Sequence, residues 1–539
     1  MRRFPSWTVS GIGMMSLAVS TAAASEADQA SRPNIILILA DDMGYSDIGC
    51  FGSEISTPNL DRLAEQGIRM TQFYNASRSC PTRASLLTGL YQHQAGVGDM
   101  VSDLGFPSYQ GYLNNECVTL AEALKSAGYN TFMSGKWHVG NRQGVHPMDR
   151  GFDRFFGLLD GGGSYFRRIA YRPGMKVPLW MSDRNDFTPP DKGFYLTDAI
   201  AGHALSFLDN EAGKQEPFFL YLAFTAPHWP LHALPEDITK YRGSYKKGWD
   251  ALRTERYNRM LKMGIIGKSA KLSPRDKNSK AWDSLSDEEK EVWDLRMSVY
   301  AAMIDRMDRN IGMLMEKLKK IGESNNTLII FLSDNGGCHE STKNQAEFLK
   351  TAGVTGTADS FDAYEYPWAN ASNTPFRSFK HWVHEGGIST PFIAWYPAEI
   401  KPGQINMQPG HIIDIMPTLL DFAMGNYPSL RNGKDIPSPE GISLRPAFKG
   451  GQVKRKAPLF WEHEGNRAVR NGDWKLVSAY DYSKKQPFEW ELYDIRNDRS
   501  ELIDLSKKNP EIRFQMIEQY CEWADRVGVI PKERIDRKK

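Results

Sequence analysis

Two short acidic stretches lie far apart in the chain, Asp41-Asp42 and Asp334-Asn335. Their oxygen-bearing side chains suit a hard divalent cation such as Ca²⁺ or Mg²⁺. Two carboxylates about 4 Å apart repel by roughly 4 kcal/mol near a protein surface, and a third in the same place needs a cation. Each stretch alone also has a plainer reading, Asp41-Asp42 as a helix cap and Asp334-Asn335-Gly336 as a turn. A third stretch, Ser77-Arg78-Ser79-Cys80-Pro81-Thr82-Arg83-Ala84-Ser85-Leu86-Leu87-Thr88-Gly89, reads as a loop that turns into a helix. Pro81 fits a first helical turn and Gly89 fits a stop. Ser79 then sits where a helix N-terminus favours an anion, with Arg83 one turn further along the same side. A hydroxyl nucleophile, a positive dipole end and a guanidinium fork together suit a tetrahedral oxyanion ester. In Gly135-Lys136-Trp137-His138, strand alternation would send Lys136 and His138 to one side. A lysine can steady an oxyanion there, and a neutral histidine can take a proton. In isolation the same pair reads as a snorkelling lysine and a packed histidine.

The elements that must hold these groups are legible from apolar patterning. Asn34-Ile35-Ile36-Leu37-Ile38-Leu39-Ala40 is continuously apolar after its first residue, so it predicts a central parallel strand buried on both faces, and it runs straight into Asp41-Asp42. Further strands are expected over 129–133, leading to Lys136, over 217–224, leading to Ala226-Pro227-His228, and over 327–332, leading to Asp334-Asn335. Helices alternate with them: one opens at Pro58 with Thr57 as N-cap, one covers 118–127, and one runs from a Ser286/Glu289 capping box to about Lys320. The expected fold class is therefore α/β, a mostly parallel sheet flanked by helices, with polar residues at the strand ends where such sheets bind ligands. From residue 451 four short strands, tight turns and a helix over 510–529 predict a smaller C-terminal subdomain with an antiparallel sheet. The expected division is a leader over 1–30, a catalytic domain over 31–450 with a charged surface insertion at 240–283, and the subdomain over 451–539.

Composition sets the outer bounds. The chain has 539 residues, 41% hydrophobic and 24% charged, which is globular and long enough for more than one domain. A net charge of +2 argues against a nucleic-acid partner. Five scattered cysteines make neither a disulfide framework nor a CxxC site. Arg2-Arg3, the largely apolar Trp7–Val19 and Ala22-Ala23-Ala24 read as an export signal, so the expected location is periplasmic or secreted. No stretch has the length and apolar character of a transmembrane segment.

The Ser79 stretch resembles the signature of the type I sulfatases: Cys or Ser, any residue, Pro, any residue, Arg, an apolar pair, then Thr-Gly. Ser79, Pro81, Arg83, Leu86-Leu87 and Thr88-Gly89 match it, whereas Cys80 is one position out of register. Gly128 to His138 is similar to the second signature of the same family, and the likeness extends from Pro33 to about Leu505. It implies an alkaline-phosphatase-like fold. It implies that Ser79, as in the bacterial Ser-type enzymes, is oxidised to formylglycine (3-oxoalanine) by a radical-type maturing enzyme. It also implies Ca²⁺ held by Asp41, Asp42, Asp334, Asn335 and residue 79. Within that resemblance Arg83, Lys136 and Lys380 contact the SO₃ group, His138 takes a proton, and His228 serves the leaving group. The implied substrates are sulfated glycans or aryl sulfates. Two alternatives stay open: a phosphomonoester, phosphodiester or phosphonate hydrolase on the same scaffold, and a non-catalytic sulfoglycan-binding protein with Ser79 left unoxidised.

Overall fold

Asn34–Ala40 is the axis of the molecule. In this computed structural model, described over residues 32–537 apart from 212 and 352, that strand is fully buried and pairs in parallel with Phe218–Ala223 on one side and Thr327–Ser333 on the other. The leader expected over 1–30 lies outside the described residues. Side chains alternate across the strand as the pleat requires. Ile36 and Ile38 enter one apolar layer, and Ile35, Leu37 and Leu39 enter the other. Two buried faces are what a nearly all-apolar strand demands.

The sheet continues from Phe218–Ala223 to Asn130–Lys136 and Arg154–Leu158, all parallel. On the other side Ser389–Trp395 joins Thr327–Ser333 antiparallel, and Ile68–Tyr74 joins Ser389–Trp395 antiparallel. The sheet is thus mixed but mostly parallel through its centre. Register sets the site: Ala40 lies opposite Ser333 and Leu39 opposite Ala223. The residues that follow, Asp41 and Asp334, therefore leave the sheet at one level. Gly135, at φ 123°, lies so close to the next strand that a Cβ there would come within 1.8 Å of the Ala223 carbonyl oxygen. Only glycine allows that approach, which brings Lys136 to the same edge.

The predicted capping box is present at Ser286, and its helix spans Asp287–Lys320. Thr57 does occupy the N-cap position before Pro58, but it does not cap: its hydroxyl accepts the Gly49 N–H instead. The segment 240–283, read from its charge as a surface insertion, differs more. It contains the helix Gly248–Met263, which buries Trp249, Leu252, Arg256 and Met260. Arg256 is charged yet interior because Asp47 (2.6 Å) and Glu54 (2.8 Å) neutralise it.

The C-terminal strands Leu459–His463, Asn466–Asn471, Trp474–Ser478 and Glu491–Asp494 form the expected antiparallel sheet, covered by the helix Pro510–Val527. Its Trp461, Val469 and Leu476 share an apolar layer with Leu86 and Ile413 of the preceding chain. A buried ionic cluster fastens the two parts. Glu385 accepts from Lys475 Nζ (3.0 Å) and Arg499 Nε (2.9 Å), and Lys475 also meets Glu501 (2.8 Å). Burial alone would raise the Glu385 pKa, but Lys475 and Arg499 outweigh it and bring it down to about 2. A depressed carboxylate stabilises above its unfolded pKa of about 4.3, and that contribution, about 3 kcal/mol, is lost as pH falls toward 2. Glu385→Ala is expected to cost about 3–5 kcal/mol at pH 7, because it leaves buried cations unpaired. Urea denaturation at pH 7 and in the acid range measures both effects, with the gap between wild type and variant narrowing in acid.

Candidate active site

Ser79 is the first residue of the helix Ser79–Thr88, with Arg78 as N-cap, and Gly89 closes the helix in the left-handed conformation. Every residue of that helix is buried, so its N-terminus faces the protein interior rather than bulk water. Ser79 is 2% exposed. Its hydroxyl lies 3.3 Å from Asp41 Oδ1 and 3.4 Å from Asn335 Oδ1. Neither His138 nor His228 is among its hydrogen-bond partners.

Arg83, one turn along, sends Nε (3.2 Å) and Nη2 (2.9 Å) to Asp334 Oδ2, and Nη1 to the Lys136 carbonyl (2.8 Å). Lys136 Nζ lies 2.6 Å from Asp41 Oδ2. Asp42 receives Asn335 Nδ2 at 2.7 Å on Oδ1, and Lys380 Nζ at 3.0 Å on Oδ2. His228 Nε2 lies 3.4 Å from the same Oδ2, while its Nδ1 donates to the Trp229 carbonyl at 2.6 Å. The structure thus brings all six nominated catalytic residues and all five nominated cation ligands to one edge of the sheet, with His138 reached through Cys80 as described below. Strand alternation does not account for His138: the strand stops at Lys136, and His138 follows at a left-handed φ of 56°. Asp42 (φ 64°) and Ser77 (φ 65°) share that conformation, which costs about 1–3 kcal/mol per non-glycine residue and gathers at functional sites.

Electrostatics divide the carboxylates. Burial and the Asp334 carboxylate push Asp41 up to about 8, despite Lys136 and Arg83. Burial acts on Asp42 in the same direction, but Lys380 and His228 hold it well below the ordinary carboxylate range. Burial also lowers His228 to about 3, against the pull of Asp42. His138 is held neutral by burial and by the nearby Lys136 and Arg83.

Sequence reasoning missed three features of the pocket. Glu340 is paired with Arg78 (2.9 Å), takes a hydrogen bond from Trp229 Nε1 (2.9 Å) and lies 3.6 Å from Lys380. Arg78 was visible only as a neighbour of Ser79, and Glu340 sits in no motif. Cys80, out of register as a nucleophile, places Sγ 3.2 Å from His138 Nε2. Its thiol is pushed up to about 12 by burial, so it remains protonated and donates to that ring. All five cysteines are free. His232 belongs to no motif and is a buried core residue, with Nε2 on the Ser360 carbonyl (2.8 Å).

The Sulfatase family profile matches residues 33–425, and a profile described as N-sulphoglucosamine sulphohydrolase, C-terminal, matches 376–523. An uncharacterized sulfatase of Schizosaccharomyces pombe is 39% identical, over 93% of this chain and 95% of its own length. An arylsulfatase of Klebsiella aerogenes is 40% identical, over 83% of this chain and 98% of its own. Among solved structures, Ps i-CgsB in complex with k-i-k-neocarrahexaose superposes with a TM-score of 0.67 at 29% identity, covering 92% of this chain and 93% of that one. The fold agrees, being the alkaline-phosphatase-like sheet with its C-terminal antiparallel addition. A family match over most of the length, together with relatives this close, leaves one conclusion: the chain belongs to the sulfatases, hydrolases of sulfate esters.

Proposed function

We propose that this sulfatase is exported and removes sulfate from glycans or aryl sulfates, using a formylglycine made from Ser79 by a radical-type maturing enzyme, and a Ca²⁺ ion. The observation that carries the reading is the convergence of Arg83, Lys136 and Lys380 with three aspartates around the Ser79 hydroxyl. The donor set fits a hard cation: Asp41, Asp42 and Asp334 offer carboxylates, and Asn335 and residue 79 offer neutral oxygens. Mg²⁺ satisfies the same donors. Asp41 Oδ1 and Asn335 Oδ1 lie 3.3 Å and 3.4 Å from the Ser79 hydroxyl, and a divalent cation among these oxygens would favour the ionised form of Asp41. When bound, the ion supplies Lewis-acid polarisation, and the hydrated aldehyde supplies a geminal diol in place of a weak serine hydroxyl.

The chain's own residues do the rest. Arg83, Lys136 and Lys380 are preorganised cations for the charge that builds on the sulfate oxygens. Burial makes each of them stronger than in water. His228 Nδ1–H is fixed on the Trp229 carbonyl, so Nε2 is the atom that exchanges a proton with the leaving oxygen. A bound sulfate beside it adds negative charge that favours the imidazolium. His138 is neutral and takes a proton at Nε2, the atom that now faces Cys80. The solved relative in complex with neocarrahexaose supports a glycan substrate.

The test measures sulfate release from an activated aryl sulfate and from defined sulfated monosaccharides, with phenyl phosphate as the competing ester. Release from the sulfates at rates at least about a hundredfold above the phosphate is expected. His228→Ala is expected to slow the monosaccharides by about 10²–10⁴-fold and the aryl sulfate far less, since only a poor alkoxide leaving group needs the proton. Equal losses on both substrates would sink the His228 role. Faster turnover of the phosphate would favour the phosphoester reading.

A further inference from the structure

A second cluster of metal-ligating side chains stands beside the pocket, with no part in the chemistry above. His381 Nδ1 lies 3.1 Å from Glu464 Oε2. The ligand atoms of His381, His463 and Glu464 all lie within 4.8 Å of one another. His463 is 0% exposed, and both of its ring nitrogens lack a hydrogen-bond partner. A buried imidazole without any partner is costly and asks for a ligand.

We propose that His381, His463 and Glu464 bind a divalent transition metal of the Zn²⁺ class, separate from the all-oxygen cation site at Ser79. Two imidazoles and one carboxylate are a zinc-type donor set, whereas Ca²⁺ and Mg²⁺ prefer oxygen alone. The 3.1 Å between Nδ1 and Oε2 is near the edge of about 3.3 Å expected for two ligands of a tetrahedral ion bonded at 2.0–2.1 Å. A fourth position is left for water.

The surroundings fit ligation. His381 Nε2 lies 2.6 Å from the Tyr482 hydroxyl, and Tyr482 Oη lies 3.0 Å from the Glu464 carbonyl oxygen. If Nε2–H donates to Tyr482 and Tyr482 donates to that carbonyl, both short contacts are satisfied together. That tautomer leaves Nδ1 as a bare lone pair facing a carboxylate, the arrangement a cation resolves. An imidazolium at His381 would also satisfy Glu464, but it would leave His463 without a partner. A neutral His381 with Nδ1–H on Glu464 does the same, whereas a metal serves all three groups at once.

Backbone geometry places the ligands. His463 ends a strand and pairs with Asn466 across a two-residue turn, in which Glu464 (φ 49°) and Gly465 (φ 86°) are left-handed. His381 follows Lys380, and its N–H is held by the Ser77 carbonyl at 2.8 Å. The ion would therefore join the C-terminal hairpin to the loop that carries Lys380 and to the approach to Ser79.

The test strips the full-length protein with chelator and titrates it with Co²⁺ and then Zn²⁺. The visible bands of tetrahedral Co²⁺ should appear with one equivalent and vanish when Zn²⁺ displaces it. His463→Ala and Glu464→Gln should each lose the bands, and Glu464→Gln serves if the alanine variant folds poorly. Asp42→Asn should keep them. Tyr482→Phe should keep them with affinity about tenfold weaker. Absence of the bands in wild type, or their loss in Asp42→Asn alone, overturns the site. A wild type that binds no Zn²⁺, together with a raised KM for sulfated sugars in Glu464→Gln, would make the cluster a sugar contact and also overturn it.

Discussion

Ser79→Ala is expected to lower turnover by about 10⁴-fold or more under every expression condition, since it removes the nucleophile outright. The wild-type chain should behave almost as poorly when made without a maturing enzyme. Its Ser79 hydroxyl touches Asp41 and Asn335 and no histidine, so it lacks a positioned imidazole base. A sulfated serine would also have no easy exit, because it lacks the second hydroxyl of a hydrated aldehyde. Co-expression with a radical-type maturing enzyme should restore activity, and the peptide containing Arg78 to Arg83 should lose two hydrogens by mass spectrometry. Ser79→Cys should become active in a host whose maturing enzyme accepts cysteine. Cys80→Ser should remain active, since a hydroxyl can replace the thiol as donor to His138. Fully active enzyme carrying an unmodified Ser79 would overturn the formylglycine reading. Asp41, 3.3 Å from the hydroxyl, would then be the base to examine, and direct serine attack would move ahead.

The second large effect is expected at the cation site. Asp42→Ala and Asp334→Ala should each lower kcat/KM by at least about 10³-fold, and chelation of the wild type should reproduce the loss reversibly. Asp42 is a nominated ligand that also holds Asn335, Lys380 and His228, so its removal frees three pocket groups at once. Asp334 anchors two nitrogens of Arg83. Readding Ca²⁺ should restore the rate and raise the melting temperature of the wild type, because a ligand bound only to the native state stabilises it by mass action. Asp42→Ala should show little of that thermal response. Full activity of Asp42→Ala in metal-free buffer would rule the site out.

Much of this was written in local sequence. The apolar run Asn34–Ala40 specifies a two-face-buried parallel strand, because nothing else hides six consecutive apolar side chains so simply. The capping box at Ser286 and the Gly89 stop are likewise local, since caps satisfy backbone groups within a few residues. Ser79, Pro81 and Arg83 carry their spacing on one helix, so their relation needs no tertiary information.

The rest depended on how distant segments meet. Charge density made 240–283 look external, yet Arg256 is interior because Asp47 and Glu54, some 200 residues away, neutralise it. No periodicity reports a partner so remote. Glu340 and Arg78 line the pocket through a pairing that no motif encodes. His381 and His463 belong to no motif, and a lone histidine reads as packing or surface; only the hairpin at Glu464, folded against the Lys380 loop, gathers them into one cluster. The strands, the caps and the helix Ser79–Thr88 are readable in the chain itself, because their signals lie within a few residues of one another. Which charges are buried together is set by the folded chain, because burial and pairing energies depend on through-space neighbours, and register across the sheet chooses those neighbours.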